Sequence, residues 1–406
     1  MFMFEKALAG SRRYWIWIGV LLSVILVGFL AYVREREVGL AITGLSRDVP
    51  WGLDISQFAF CVGLGASAVV VVLPYYLHDW KAFGKITLLG EILGMVAVFM
   101  AMLFIFVCMG QPMRLLNVIL YPHPRSLIFW DLLVLSGYLL LNAVITVTLV
   151  SAQREGVAPP GWIKPVILLS LPWAISIHTV TAFLFSGLAG RSYWATPLLA
   201  PRFLASAFTS GSALLILVIL LLRWLRVFDV DPEAVPKLAR IVTYCMLINL
   251  FFVLVEVFTA FYGRIPEHME HFEYLFAGLN GSYNFARYMW LSVFLALASL
   301  LVLLVPGWRR NPRLLPLACA FAFVSVWLDK GLAWIVGGFT PSPLGAVTPY
   351  TPTWPEWSIV LGIWAVGILM VTVFYKIVFS VEAAANAEFV SSALPACGAA
   401  HPGKAA

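Results

Sequence analysis

Charge is what this sequence has least of. Asp, Glu, Lys and Arg supply 11% of 406 residues against 62% hydrophobic, where a soluble chain carries about 25% charged, so a single water-facing globule is excluded. Cysteine is nearly as sparse. Cys61, Cys108, Cys245, Cys319 and Cys397 stand singly, with no Cys-x-x-Cys and no Cys-x-x-Cys-His, which argues against an iron–sulfur cluster or c-type haem of the chain's own. Four of them lie in apolar runs as small hydrophobes, and Cys397 and His401 in the tail are too isolated for a metal site. No Lys-Ser/Thr follows Gly63-Leu64-Gly65-Ala66-Ser67-Ala68, so that stretch is a helix-packing face and not a phosphate loop.

What the sequence does have is long apolar runs, with a mean hydropathy of +0.94. Runs of about 20 residues predict ten transmembrane helices: Tyr14 to Val33, Ile55 to Leu77, Ile86 to Met109, Leu127 to Val150, Ile163 to Leu188, Phe203 to Arg223, Ala239 to Tyr262, Tyr283 to Pro306, Leu314 to Gly337 and Trp357 to Ser380. The runs are continuous and do not alternate, so a β-barrel is excluded. The expected fold is an all-α polytopic membrane protein with two four-helix bundles and two flanking helices. Residues 1–54 form an anchor helix and its loop, 55–188 the first bundle, 189–337 the second, 338–382 a Pro-rich loop and the tenth helix, and 383–406 a disordered tail. The first run exceeds a signal-peptide core and has no small-residue cleavage site, so it is read as a retained anchor.

Lys and Arg divide unevenly between the two sides. The N-terminus, even-numbered loops and C-terminus carry 16 and the odd-numbered loops eight, Arg202 among them, which predicts that both termini are cytoplasmic. The net charge of +6 is then a topology signal; it gives no support to a nucleic-acid partner. The odd loops are long and rich in Gly, Pro and aromatics, and five prolines between Pro341 and Pro355 stiffen the last one. They read as docking loops, with function facing outward.

Few ionisable side chains lie within the spans, and nearly all fall toward one face: Asp54, Asp131, His178, Glu256, Arg287, Asp329 and Lys330, with Glu91 the exception on the cytoplasmic side. In hydrocarbon such groups pair or line a wet cavity and mark function. At about 1.5 Å per residue, His178 falls about 15 Å below the outer end of its span, Asp329 about 12 Å and Glu256 about 9 Å, while Asp54, Asp131 and Arg287 sit near the outer mouths. The set is expected to form an outward-facing polar pocket, against the plainer reading of register-setting pairs such as Asp131 or Glu256 with Arg287. The other histidines lie in loops or the tail, so bis-histidine haem is disfavoured. His178 with a carboxylate such as Asp131, Glu256 or Asp329 suits proton and hydrogen-bond donation to a quinone carbonyl. Trp51, Tyr193, Trp194, Tyr262, Tyr350 and Trp354 read mainly as an interfacial belt, with Tyr262 and Tyr350 as candidate ring contacts. Glu91, Asn142 and Asn249 are candidates for a wet route inward.

Pro50-Trp51-Gly52-Leu53, Gly110-Gln111-Pro112-Met113-Arg114, Phe129-Trp130-Asp131, Ser176 to Phe183 around His178, Pro201-Arg202-Phe203-Leu204-Ala205-Ser206-Ala207, Pro341-Ser342-Pro343-Leu344-Gly345 and Tyr350-Thr351-Pro352-Thr353 resemble the NrfD/polysulfide-reductase family of membrane subunits over residues 1 to about 382. Within it, the resemblance is strongest to ten-helix membrane subunits of sulfite-reduction-associated Dsr complexes. The resemblance implies a quinone-interacting subunit in a prokaryotic cytoplasmic membrane, without haem or cluster, using menaquinone or ubiquinone near the periplasmic face. It implies a periplasmic iron–sulfur partner, a multihaem cytochrome c, a membrane cytochrome b and a cytoplasmic iron–sulfur subunit. It supports His178, Asp131 and Arg202 as positions of interest. Eight-helix relatives place a quinone histidine near the start of the first bundle, where this chain has Asp54 and Gln57. The competing expectations are an ion or small-solute transporter using the buried acids as a relay, and a purely structural anchor.

Overall fold

In the computed structural model, which describes residues 10–65, 67–77, 80, 83–228 and 230–393, ten helices are long and apolar enough to cross a membrane. They are α1 (Arg12–Val38), α2 (Leu53–Tyr75), α3 (Gly84–Cys108), α4 (Leu127–Glu155), α5 (Ile163–Ser186), α6 (Leu199–Trp224), α7 (Ala234–Tyr262), α8 (Ala286–Leu304), α9 (Leu314–Phe339) and α10 (Trp354–Ala393). No strand occurs among the described residues. In lipid each backbone amide must find its partner within its own helix, and these runs do so with few breaks.

Helices α2 to α5 pack as one group of four and α6 to α9 as a second. The seam between them is formed chiefly by α2 against α6 and α9 and by α5 against α6. Helix α2 is the most enclosed span, with 81% of its apolar window buried, and α1 the least, with 17%; α2 is thus the axis of the molecule and α1 an outer stave. Helices α1 and α10 pair with each other, and α10 leans on α3 and α4. Their crossing needs small residues, since a Cβ on Gly28 would lie 2.8 Å from Gly362 Cα.

Five departures from the sequence expectation position the site. Helix α6 begins at Leu199, so Arg202 is a buried residue of its first turn and not a loop residue. Helix α9 is interrupted by a π-helical segment, Asp329–Ala333. The stretch after α7 contains a helix, Pro266–Phe276, and the stretch after α3 a shorter one, Leu115–Leu120. Helix α10 continues past Ala383 to Ala393; the rest of the expected tail, with Cys397 and His401, lies outside the described residues. The connections following odd-numbered helices share one end of the molecule, called here the odd-loop face.

Candidate functional site

The strongest polar feature is an ion triad within the second bundle. Arg202 donates from Nη1 to Glu256 Oε2 on α7 at 2.5 Å and from Nη2 to Asp329 Oδ2 and Oδ1 on α9 at 3.1 and 3.3 Å. The three side chains are 6%, 9% and 18% exposed, so the guanidinium gives up water and needs both acids in its place. Two carboxylates against one guanidinium leave the triad formally one charge negative, and Glu256 Oε1 has no hydrogen-bond partner. The pairing of Glu256 or Asp131 with Arg287, the plainer alternative to a polar pocket, is not made. Arg287 is exposed, with its guanidinium 4.7 Å over the Tyr288 ring and Nη2 donating to Tyr288 Oη at 3.0 Å; it lies outside the cluster.

Lys330 follows Asp329 on the π segment. It is buried, its Nζ has no hydrogen-bond partner, and it stands 3.8 Å from the Phe203 ring centroid. The π segment also turns the Gly331 carbonyl toward α2, where Gln57 Nε2 donates to it at 2.5 Å. Gln57 Oε1 accepts from Trp327 Nε1 at 3.1 Å and Trp364 Nε1 at 3.0 Å. Gln57, expected near a quinone, thus ties α2 to α9 and α10.

In the first bundle, Thr181 Oγ1 donates to Asp131 Oδ1 at 2.6 Å. His178, one turn before Thr181, is 1% exposed. Its Nδ1 lies 2.8 Å from Ala174 O and its Nε2 3.5 Å from Gly63 O. It has backbone partners in place of the carboxylate the sequence leads one to expect. Of the inward candidates, Glu91 is buried with Oε2 unpartnered, Asn142 donates to Tyr138 O on its own helix at 2.8 Å, and Asn249 is buried with Oδ1 unpartnered.

A third group sits where α1, α2 and α10 meet the odd-loop face. Asp54 in the first turn of α2 is buried with Oδ1 unpartnered. Glu356 accepts from Tyr350 Oη at 2.5 Å, Gly44 N at 2.8 Å, Thr353 N at 2.7 Å and Thr353 Oγ1 at 2.9 Å. Tyr350 Oη also accepts from Leu53 N at 2.8 Å, which pins the Pro-rich loop to the start of α2. Burial pushes the Tyr350 phenol up, and the Glu356 carboxylate adds to it. A Cβ on Gly52 would lie 2.4 Å from that hydroxyl, so a larger residue there would push Tyr350 from its place. Glu35 is buried within electrostatic reach of Asp54 and Glu356. Sequence reasoning missed both glutamates. Thr353-x-x-Glu356 carries a capping-box signature that marks Glu356, while Glu35 is hidden in the polar run Arg34-Glu35-Arg36-Glu37.

Above these groups the aromatics are a buried stack and only in part a belt. Trp194 and Tyr350 are 0% and 1% exposed, against 79% for Tyr262 and 75% for Trp354; only the last two keep the interfacial reading. Tyr262 stacks on Phe258 at 4.8 Å and joins none of the polar groups. Trp51 stacks on Trp194 at 6.3 Å, Trp194 meets Phe339 at 5.0 Å, and Phe185 and Phe203 meet Trp334 at 4.8 and 4.9 Å. Gly338 makes room, since a Cβ there would lie 2.0 Å from Trp194. A cavity of about 420 Å³ opens on this stack, lined by Trp51, Leu188, Arg191 and Phe339 among others. Among the described residues no group of three His, Cys, Asp or Glu side chains could hold a metal ion.

Residues 41–336 match the family model described as polysulphide reductase, NrfD, and the chain belongs to that family. It is 26% identical to a putative dimethyl sulfoxide reductase membrane subunit of Halobacterium salinarum, covering 87% of this chain and 89% of that protein. It is 23% identical to the Hdr-like menaquinol oxidoreductase integral membrane subunit of Archaeoglobus fulgidus, over 92% and 95%. It is 22% identical to the menaquinone reductase integral membrane subunit of Nitratidesulfovibrio vulgaris, over 92% and 94%.

Proposed function

We propose that this NrfD-family chain is the quinone-interacting membrane subunit of a multi-subunit oxidoreductase, passing electrons between a membrane quinone and an iron–sulfur partner docked on the odd-loop face. The observation that carries this reading is a set of buried ionisable groups with unsatisfied atoms, Asp54 Oδ1, Glu256 Oε1 and Lys330 Nζ, with Lys330 set against Phe203 of the aromatic stack on which a cavity opens. A quinone brings two carbonyl oxygens and an apolar ring. Those residues fit it: the donors and carboxylates would hold the oxygens, and the aromatic walls would exclude water. When bound, the quinone supplies the two-electron chemistry; the chain's part is to hold it and to give or take protons at His178, Asp131, Glu256 and Asp329. Relatives named as menaquinol or menaquinone oxidoreductase subunits support menaquinone over ubiquinone.

The basic even-numbered loops favour cytoplasmic termini in a prokaryotic inner membrane, which makes the odd-loop face periplasmic. Activity is then confined to the assembled complex. In the finer reading the chain is a DsrP-type subunit of a sulfur-metabolism Dsr complex, alongside a periplasmic iron–sulfur protein, a multihaem cytochrome c, a membrane cytochrome b and a cytoplasmic iron–sulfur subunit. The motifs around His178 and Arg202 support that reading. The test is quinone-dependent electron transfer by the purified complex with quinone restored. Loss of turnover in His178→Ala with intact assembly is expected. An inactive wild-type complex together with solute flux by this chain alone in liposomes would replace the reading with a transporter.

A further inference from the structure

Two buried groups of opposite need both neighbour Gly63 at the seam between the bundles. His178 Nδ1 lies 2.8 Å from Ala174 O, a geometry that places the ring proton on Nδ1 as donor and leaves Nε2 a lone pair. The neighbour of Nε2 is Gly63 O at 3.5 Å, itself an acceptor, so Nε2 lacks a donor. On the other side, Lys330 Nζ is a donor without an acceptor, and a Cβ on Gly63 would lie only 3.4 Å from it. Gly63 therefore separates an unmatched donor on the second bundle from an unmatched acceptor on the first. Gly63 is thus the residue that neighbours both groups, the imidazole at its carbonyl and the amine at its Cα.

We propose that Lys330 and His178 form a proton-exchange pair across the seam, tying the protonation of the first bundle to the charge balance of the Arg202 network in the second. This rests on the quinone-subunit reading above. In one state the Lys330 ammonium offsets the formal negative charge of Arg202, Glu256 and Asp329. In the other, an Nζ–H bond breaks and an Nε2–H bond forms, relayed by water beside Gly63. Lys330 is then a neutral amine, and His178 an imidazolium donating to Ala174 O and Gly63 O. Total charge is unchanged; one positive charge has crossed from the second bundle to the first. The charged or titratable groups facing the pair are Arg202 from α6, Asp329 from α9 and, through Arg202, Glu256 from α7. Phe203 packs its ring on the amine from α6, and Asp131 is held by Thr181 one turn from His178.

The decisive substitutions are Lys330→Met and Lys330→Arg in the native complex. Arginine keeps a fixed charge and cannot release its proton. A role limited to charge balance is therefore rescued by Arg and lost with Met, whereas exchange is lost with both. The expected result is a fall in quinone-dependent turnover of about 100-fold for either variant, with assembly and thermal stability checked alongside. Gly63→Ala, which sets a methyl 3.4 Å from Lys330 Nζ, should lower turnover in the same direction. Wild-type turnover in a folded Lys330→Arg complex overturns the proposal. A second readout needs no turnover: infrared difference spectra between the purified parent and Glu256→Gln, which removes one negative charge from the Arg202 network, with labelled lysine and ring-labelled histidine, should show the ammonium band falling as the imidazolium band rises. A change in one band without the other refutes the pair even if the wild-type complex proves inactive with quinone, a failure that counts against the function proposed above.

Discussion

Arg202→Met tests the energetics of the second bundle most directly. The substitution keeps most of the volume and removes the guanidinium that binds both Glu256 and Asp329. Asp329, 18% exposed, recovers part of its hydration; Glu256, at 9%, is left with neither oxygen partnered. A buried carboxylate so stranded costs about 3–5 kcal/mol. Its escape is to take up a proton, which for an ordinary glutamate at pH 7 costs about 3.7 kcal/mol, at about 1.36 for each of roughly 2.7 pH units. The loss at pH 7 should therefore be about 3–4 kcal/mol and should shrink by about 1.4 kcal/mol on lowering the pH by one unit. Replacing both partners, as in Arg202→Met with Glu256→Leu, should restore stability to within about 1.5 kcal/mol of the parent, because an apolar pair strands no charge there. Cys61 and Cys319 are buried, so their rate of thiol labelling in detergent reports unfolding. A single variant destabilised by under about 1 kcal/mol, or a double variant as unstable as the single, would refute the triad as the buried charge anchor.

Tyr350→Phe leaves Leu53 N without its acceptor and Glu356 without one donor; it should cost about 1–3 kcal/mol and make the Pro-rich loop an early site of limited proteolysis, and unchanged cleavage kinetics would count against the pin. Gly338→Ala drives a Cβ to 2.0 Å from the Trp194 ring and should destabilise by about 3 kcal/mol or more, read as a lowered melting temperature with altered tryptophan fluorescence. His271 holds Gly337 O and Thr340 O at 2.7 and 3.0 Å through Nδ1 and Ser192 Oγ at 3.0 Å through Nε2, and burial pushes its pKa down. A lowered folded-state value means the neutral ring is the one the fold selects. Its contribution is complete above the unfolded value of about 6.5 and is lost as pH falls through the folded one. Odd-loop protection from proteolysis or hydrogen exchange should weaken on acidification in that window, and His271→Gln should be flatter with pH; identical profiles would sink the assignment.

Ten spans are legible in the sequence because hydrophobic length is a local property, and each apolar run carries its own backbone hydrogen bonds into the fold. The features that depend on distant partners are not. Arg202 sits three residues inside α6, yet Pro201-Arg202 reads as a loop end, since a buried arginine is tolerable only with Glu256 and Asp329 brought from distant parts of the chain. Gln57 reads as a ligand because a buried amide demands partners, and its partners, Gly331 and two tryptophans, come from elements 270 or more residues away. Arg287 and Tyr262 lie outside the polar cluster for the opposite reason: depth along a helix is legible, but it says nothing of which way a side chain points around the axis, and both point outward. The π segment has no sequence signature comparable to a cap or a proline.

That segment explains why two adjacent charges serve different neighbours. Successive residues of a helix point about 100° apart, so Asp329 can face Arg202 inside the second bundle while Lys330 turns to Phe203 and the Gly63 seam. Gln57 of α2 donates to the Gly331 carbonyl within the π segment, so the helical defect carries a bond between the bundles. Such bulges cost regular hydrogen bonding and recur at functional sites. Here the defect sets the register of α9 against α2 at the level where an unmatched amine and an unmatched imidazole face the same glycine. Regularising it should disturb that seam before it disturbs either bundle.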